Sequence, residues 1–297
     1  LMVSAGKGAE KQILDSIRLM GTNLITVSAG QTKVIAGRQR QMSTVTTLEV
    51  EDADAIQAEC SSVALAAPAI EKKMATRWEA ENANSTVLGI TADGFQIRNI
   101  VVESGRIFDQ EESRGRRRVA ILGPTVVENL FLGTDPIGLM FRIGGIPFEV
   151  IGVTGAKGVD ANGQDQDDVI IIPLETAMRR LMNVDYIRTI YVQAKSSDLL
   201  DEAETEVREL LRQRHRLESD PDDFTIQNQA VLLETERETA QSMTLLVSSV
   251  SGISLLVGGV GILAVMLISV RERTGEIGLR RAIGARRSDI RNQFLLE

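Results

Sequence analysis

The feature of this sequence that most constrains its fold is an uncharged run of 28 residues from Met243 to Val270. At 1.5 Å per residue, a helix of that length is roughly 42 Å long, whereas the hydrocarbon core of a bilayer is about 30 Å thick. The alternative is a buried helix of a globular domain, but such helices seldom run far beyond about 20 residues and usually carry a polar stripe. Residues 243–270 are therefore predicted to form a transmembrane helix that tilts or projects beyond one face of the bilayer.

Glycines interrupt this apolar run at Gly252, Gly258, Gly259 and Gly261. In water each would weaken a helix by up to about 1 kcal/mol. In lipid, small residues let helix backbones approach closely. We expect these four glycines to pack against partner helices, either from another part of the protein or from a second copy.

Charge differs sharply on the two sides of the run. The residues before Thr239 carry 26 Lys and Arg against 37 Asp and Glu, whereas the remainder carries 7 Arg against 4 acids. Because Arg and Lys next to a span are retained on the cytoplasmic side, residues 271–297 are predicted to be cytoplasmic and the acidic bulk to lie outside. That acidity also argues against binding of nucleic acid. Placing so large a domain outside requires an upstream span, which we expect to precede Leu1 in a longer protein, since no signal peptide opens the sequence.

The acidic bulk has the pattern of an α+β domain. Strands are predicted at Asn23–Ser28, from Val63 with an interruption at Pro68, near Thr86–Thr91, at Ile187–Ala194 and at Phe224–Gln227, and helices at Leu48–Glu59 and Asp198–His215. The order strand, helix, strand, strand, then strand, helix, strand predicts a split ferredoxin-like unit made of residues 23–91 and 187–228. Residues 92–186 form an insertion between its halves.

The insertion is predicted to be a small mixed α/β subdomain. A short helix begins at Pro124, a hairpin turns at Gly144 and Gly145, and the apolar run Val169–Ile172 forms a buried strand that Pro173 stops. Two amphipathic segments border the membrane, in residues 1–22, following the upstream span, and in residues 229–242. We expect them to be helices that pair as a stalk beneath the outer domain.

Several kinds of chemistry are excluded by composition. Cys60 is the only cysteine and His215 the only histidine, so an intrachain disulfide framework, a His base and a multi-His metal site are all ruled out. His215 lies in a run of arginines that indicates the end of a solvated helix. No G-x-x-x-x-G-K-[ST] motif occurs, so this chain is not expected to bind ATP. We therefore predict no catalytic residue, no resident metal and no cofactor in it.

An acidic loop at residues 160–168 has the sequence D-A-N-G-Q-D-Q-D-D. Several carboxylates in one loop are able to hold calcium, but Gly163 is misplaced for the turn of an EF-hand and the closing Glu is absent. A solvated loop is the favoured interpretation.

The most specific motif follows the apolar run, as E-R-T-G-E-I-G-L-R-R-A-I-G-A-R-R from Glu272 to Arg287. It closely resembles the segment after the second span in permeases of the MacB and FtsX class, where such a run forms a short coupling helix. The resemblance covers nearly the whole chain through G-T-N-L at 21–24, G-R-x-F at 105–108, P-I-G at 136–138, P-F-E-V-I-G-V at 147–153 and S-L-L-V-G-G at 254–259.

The resemblance implies a permease of an ABC-type exporter or efflux system that acts as a mechanotransmitter. ATP-driven closure of a partner ATP-binding cassette domain, which holds the ATP and Mg, would pass through the coupling helix and stalk to a porter-like outer domain. The residues expected to couple to the ATPase are Glu272, Glu276, Ile277, Gly278, Arg280, Ala282 and Gly284. Glu276, Arg280 and Arg281 would form a charged face and Ile277 and Ile283 an apolar one, which suits docking in a groove. The alternative role of this segment is an anchor lying on anionic lipid.

Other consequences of the resemblance stay open. The chain is expected in the bacterial cytoplasmic (inner) membrane as a homodimer, with its main domain periplasmic or extracellular and with a possible periplasmic adaptor protein and outer-membrane channel as partners. The ATPase is either fused upstream or a separate chain. Alternatives are an FtsX-like regulator that transmits ATPase strokes to a cell-wall hydrolase, and a permease that releases lipoproteins.

Overall fold

A sheet of ten strands forms the framework of the described residues from 24 to 228. The computed structural model describes residues 23–30, 32–35, 38–41, 46–159 and 165–296. The predicted stalk helix in residues 1–22 lies outside these residues. The described chain falls into two units, one up to Arg237 and the other from Glu238 onward.

The strands of the first unit are joined into one large sheet and one small hairpin. In the large sheet the order is β12-β1-β11-β4-β5-β10-β7-β9-β6, with β8 paired to β4 and β9, and β2 pairs with β3 in the hairpin. The strands are β1 Leu24–Ala29, β2 Thr32–Ile35, β3 Arg38–Gln41, β4 Val63–Trp78, β5 Glu81–Ile90, β6 Val102–Gly105, β7 Val119–Leu122, β8 Met140–Ile143, β9 Ile146–Thr154, β10 Val169–Pro173, β11 Thr189–Ala194 and β12 Phe224–Asn228.

Helices connect these strands and continue into the second unit. They are α1 Val50–Glu59, α2 Ala92–Ile97, α3 Gln110–Arg114, α4 Pro124–Phe131, α5 Leu174–Thr176, α6 Leu200–Arg214, α7 Gln229–Glu272, α8 Thr274–Ala282 and α9 Arg287–Leu296. A π-helical turn, Ala177–Met182, follows α5, and a 3₁₀ turn, Ser197–Leu199, precedes α6.

The two faces of the sheet are covered differently because side chains alternate along each strand. Ile25 and Val27 of β1 lie in a large apolar cluster with residues of α1, α6, α4 and the π-helical turn. Leu24 of β1 points to the opposite face, where it joins a smaller cluster with Tyr191 and with Phe95 of α2. One face is thus packed under four helical elements, while a single short helix and neighbouring loops cover the other.

Most of the elements predicted for this domain are confirmed. The helix expected at Leu48–Glu59 is α1, and the one expected at Asp198–His215 is the 3₁₀ turn followed by α6. The helix at Pro124 and the hairpin at Gly144 and Gly145 are also present. The strands of residues 92–186 continue the same sheet, because β10 runs parallel to β5 and pairs on its other side with β7. The limits of an inserted subdomain stay a prediction.

The interruption predicted at Pro68 is wrong. Strand β4 runs unbroken from Val63 to Trp78, and Pro68 lies opposite Ile190 of β11. Pairing with β5 begins only at the next residue, where Ala69 lies opposite Ile90. Pro68 therefore occupies a stretch of β4 that has a neighbour on one side only, and an edge position of this kind tolerates a residue without an N–H.

The interpretation of His215 as solvated is also wrong. Its side chain is 8% exposed and lies between two carboxylates, with Nδ1 2.9 Å from Asp223 and Nε2 3.3 Å from Asp52. Arg214 donates to the other oxygen of Asp52 at 2.8 Å, and the Glu49 N–H donates to Asp52 at 2.9 Å. These contacts tie the beginning of α1 to the end of α6 and to Asp223, which immediately precedes β12.

This network shifts the pKa values of Asp52 and His215. Burial by itself raises the pKa of Asp52, but hydrogen bonds from His215, the Glu49 backbone and Arg214 outweigh it and lower the pKa from 3.8 to about 2. The hydrogen bond with Asp52, assisted by Asp223, raises the pKa of His215 above its ordinary 6.5. The folded domain therefore favours a protonated imidazole between ionised carboxylates.

The acidic loop is described only in part. Asp160, Asn162 and Gly163 lie outside the described residues. Asp167, in contrast to the expected solvated loop, is buried, and its carboxylate accepts the N–H groups of Lys157 and Gly158 at 2.7 and 2.9 Å. Within the described part of the chain no group of three or more metal-binding side chains comes together.

Candidate functional site: the membrane helix and the segment after it

The predicted membrane span lies inside the 44-residue helix α7, which begins directly after β12. Among the described residues, its part from Gln241 to Glu272 is the helix that is long and apolar enough to cross a bilayer. Its large apolar side chains are exposed on all sides, Leu255 by 79%. A helix in water would not carry so much unburied apolar surface, whereas lipid is its natural solvent.

Serine hydroxyls within α7 are satisfied by the helix itself. Ser249, Ser251 and Ser254 each donate to the carbonyl four residues earlier, at 2.8 to 2.9 Å. This local bond removes the cost of an unpaired hydroxyl in hydrocarbon. These three serines are thereby compatible with a membrane span, and their small side chains leave room for a neighbouring helix.

The four glycines of α7 fall on more than one side of the helix. Gly252 and Gly259 are seven residues apart and nearly superpose at about 100° per residue, whereas Gly261 lies on the opposite side with Ser254, and Gly258 lies about 60° from Gly261. A methyl group added at any of the four glycines would meet nothing within 4 Å. The helix therefore offers two separate flat strips for neighbouring helices.

The helix α8 follows α7 after a single residue, Arg273. The Thr274 hydroxyl donates back to the carbonyls of Val270 and Arg271 at 3.0 and 2.9 Å. On α8, Glu276 accepts a hydrogen bond from Arg280 at 2.5 Å, the i, i+4 pair that the charged face required. The predicted residues Gly278 and Ala282 are exposed on this helix, and Glu272 is the exposed last residue of α7.

The apolar face of α8 differs from the predicted one. Ile283 is 81% exposed and Leu279, one turn earlier, is 68% exposed. Ile277 is only half-exposed and lies six residues from Ile283, which places the two about 120° apart around the helix. Leu279 and Ile283 therefore form the apolar pair, and the i, i+4 spacing in the sequence was the signal that identifies Leu279.

Gly284 ends α8 in a conformation that glycine adopts easily. Its φ is +106°, a region that side-chain-bearing residues rarely occupy. The N–H groups of Gly284 and Ala285 bond back to the carbonyls of Arg281 and Arg280 at 3.2 and 3.1 Å, which closes the end of the helix. The helix α9 then begins at Arg287.

Family models match both parts of the chain. Residues 1–210 match the MacB-like periplasmic core domain, and residues 248–297 match the FtsX-like permease C-terminal domain. The chain belongs to the MacB-like permease family. It is a membrane protein with an extracytoplasmic domain, and α7 provides a transmembrane helix.

Relatives and solved structures agree with the MacB-like assignment. The macrolide export ATP-binding/permease protein MacB of Azoarcus sp. (strain BH72) is 40% identical over 298 residues, which cover all of this chain and 44% of that protein. The periplasmic region of MacB from Actinobacillus actinomycetemcomitans superposes with a TM-score of 0.61 at 22% identity, covering 77% of this chain and 98% of that one.

A Gram-positive structure shares the fold as well. The extracellular domain of the noncanonic ABC-type transporter YknZ covers 69% of this chain and 100% of that chain, with a TM-score of 0.56 and 20% identity. The present chain spans less than half of the length of the curated MacB proteins that it matches. A MacB-like periplasmic core followed by an FtsX-like segment is therefore the part of such a protein that these residues represent.

Proposed function

We propose that this chain is the permease portion of an ABC-type exporter in which the segment after α7 receives the stroke of an ATPase and α7 carries it to the outer domain. The single observation that carries the proposal is the exposed face of α8, where Leu279 and Ile283 lie beside the Glu276–Arg280 pair. An apolar pair of that size, flanked by charges, suits a groove on a partner protein.

The path of the chain supports transmission between the two ends. Strand β12 ends at Asn228, and α7 begins at the next residue, so no flexible loop separates the sheet from the long helix. Where β12 begins, Asp223 is held by His215. A displacement along α7 would therefore act on a strand that is fixed by ten backbone-paired residues of β1 and β12 and by a buried ionic network.

The fold proposed for residues 23–91 and 187–228 is a split ferredoxin-like, porter-type unit. The strand order β12-β1-β11-β4, all antiparallel, with α1 and α6 packed on one face, supports it. The two small-residue strips of α7 support a homodimer or a neighbouring span of the same protein. We place the assembly in the bacterial inner membrane.

The relatives indicate the cargo class and the ATPase arrangement to be tested. Their names describe macrolide export and an ATP-binding region fused to the permease. We propose that this chain also takes part in macrolide efflux, driven by an ATP-binding cassette domain outside the residues given. The matched models are a periplasmic core and a permease domain, in keeping with the absence of an ATPase motif.

The test is to separate export from ATP hydrolysis in the complete transporter. Glu276→Ala and Gly284→Ala are expected to lower macrolide efflux about tenfold or more, the effect of a coupling free energy of roughly 1–3 kcal/mol. ATP hydrolysis should continue, because neither residue lies in an ATPase site. Asn292→Ala, an exposed change on α9, is the matched control and should leave efflux unchanged.

Normal efflux in both variants would exclude a coupling role for α8. Parallel loss of efflux and of membrane insertion would instead point to the anchoring role on anionic lipid. Loss of efflux together with continued ATP hydrolysis is the outcome that the proposal requires.

A further inference from the structure

A cavity of about 310 Å³ opens on the less covered face of the sheet. Its apolar walls come from β1, β5 and β10 through Leu24, Leu88 and Ile171. Since Ile25, the neighbour of Leu24, packs under the helices of the other face, the cavity is separate from the main core. Its volume is at the lower end of the range for small-molecule sites and holds roughly ten water-sized groups.

Two cations lie together at this cavity. The Lys157 ammonium donates to the carbonyl oxygen of Arg98 at 2.8 Å, and the Arg98 guanidinium lies 4.8 Å from the centre of the Tyr191 ring. Neither cation has a carboxylate within 4.0 Å in the described part of the chain. Burial and the charge of Arg98 lower the pKa of Lys157 from 10.5 to about 8, and the opposing charge of Asp167 only partly offsets them.

The Tyr191 hydroxyl is a third polar group at this cavity. Tyr191 is 9% exposed and lines the cavity, and no described residue forms a hydrogen bond with its hydroxyl. A phenol hydroxyl at the wall of a cavity takes a hydrogen-bond partner from whatever fills the cavity. A ligand in the cavity would provide one.

The carboxylates at the rim are mostly engaged elsewhere. Asp167 uses its two oxygens on backbone N–H groups, Asp165 accepts the N–H of Asp167, and Asp168 lies 4.0 Å from Lys73. Glu71 also lines the cavity, and its charge acts on Tyr191 with the sign opposite to that of Arg98. The charge of Asp167 still acts on Lys157, but its two oxygens are occupied by backbone N–H groups, and among the described residues it forms no ion pair with either cation.

We propose that this cavity binds a small amphiphilic carboxylate, with its anionic group against Arg98, Lys157 and the Tyr191 hydroxyl and its apolar chain against Leu88 and Ile171. The carboxylate would give Arg98 and Lys157 an ion-pair partner, while the aliphatic walls would take its chain out of water. The cavity shares no residue with the coupling segment. A negative result for the cavity would therefore leave the proposed export mechanism untouched, and the reverse also holds.

The probe is octanoate, and the readout is the rate of reductive methylation of Lys157 at pH 8 in the full chain in lipid nanodiscs, followed by peptide mass spectrometry. Binding of an anion shields the amine and raises its pKa, and at pH 8 a rise from about 8 by one pKa unit slows labelling about fivefold. Octanol and octyltrimethylammonium, which have the same chain but no negative charge, should not slow it. Lys72, exposed on β4, is the internal control whose rate should not change.

Two variants complete the test. Arg98→Gln should abolish the protection by octanoate, whereas Glu71→Gln should keep or strengthen it by removing a like charge. Equal protection by octanol, protection by the quaternary amine instead of octanoate, or loss of protection in Glu71→Gln would overturn the assignment of an anionic ligand. Should Arg98→Gln fail to fold, as judged by faster labelling of all lysines, the three probes on the unaltered chain still decide.

Discussion

In the region outside the membrane, charged and apolar side chains pair and pack with one another, whereas in the region from Glu238 onward large apolar side chains are exposed. In the first region a buried imidazole meets two carboxylates, and the aromatic rings of Trp78 and Phe131 stack 4.9 Å apart. In the second, Leu255 and Ile283 are 79% and 81% exposed. The outer region therefore folds through its own contacts, while the apolar side chains of the helices after it need lipid and partner proteins to cover them.

Substitution of a glycine is expected to have the largest effect, and the effect should differ between the two regions. A methyl group at Gly123 would lie 2.1 Å from the carbonyl oxygen of Asp167, whereas one at Gly258 would meet nothing within 4 Å. Gly123→Ala should lower the free energy of unfolding of the outer region by about 3 kcal/mol, because a backbone atom has to move. Gly258→Ala should change it by less than about 0.5 kcal/mol.

Denaturant unfolding followed by the fluorescence of Trp78, the only tryptophan, measures both variants. Equal effects of the two substitutions would show that the two regions are not energetically distinct, and the comparison would fail.

The His215 network is the next largest expected effect. His215→Gln removes the cation between Asp52 and Asp223 and leaves the buried Asp52 with Arg214 and the Glu49 N–H. The outer region should lose about 2 kcal/mol of stability, the cost of breaking a buried charge-assisted contact. Gln213→Ala, an exposed change in the same turn, is the control and should be nearly neutral. A loss of less than about 0.5 kcal/mol would mean that the network does not hold β12.

The pH dependence is a smaller effect with a definite sign. Because the pKa of His215 is raised, its stabilising contribution is complete below 6.5 and is lost as the pH rises through the folded pKa. Because the pKa of Asp52 is lowered to about 2, its contribution is complete above 3.8 and is lost as the pH falls toward 2. These two groups therefore favour a stability plateau between about pH 4 and 6.5.

Melting temperatures of the unaltered chain and of His215→Gln across pH 4 to 9 measure the contribution of His215 to this pH dependence. The unaltered chain should melt at a lower temperature at pH 9 than at pH 6, and the variant should show a smaller decrease. The same decrease in both would assign the alkaline loss to other groups.

The elements that the sequence predicted best are those with a long apolar run or with a proline that starts or stops the element. The apolar run of α7, the helix start at Pro124 and the strand stop at Pro173 can each be recognised within one continuous stretch of sequence, without knowledge of distant contacts. The MacB-like family was likewise accessible, because the motif around Glu276 is local in sequence.

The errors came from contacts between distant segments. Pro68 is tolerated because β5 begins its pairing one residue later, and that fact depends on a register that no local pattern encodes. His215 is buried because Asp52, 163 positions away, and Asp223 close around it. The pairing of the two cations of the cavity could not be predicted for the same reason, because Arg98 and Lys157 are 59 positions apart in the sequence.

The claim on which the rest depends is that the outer region and the segment after α7 lie on opposite sides of the membrane. Cys60 is the only cysteine and is buried, so a Cys60→Ala background permits labelling of single introduced cysteines. Glu111→Cys and Asn292→Cys place exposed thiols in α3 and α9. With a membrane-impermeant maleimide on intact spheroplasts, the Glu111→Cys protein should be labelled at once and the Asn292→Cys protein only after permeabilisation. Labelling of Asn292→Cys in intact spheroplasts, with protection of Glu111→Cys, would contradict the topology and the proposed coupling with it.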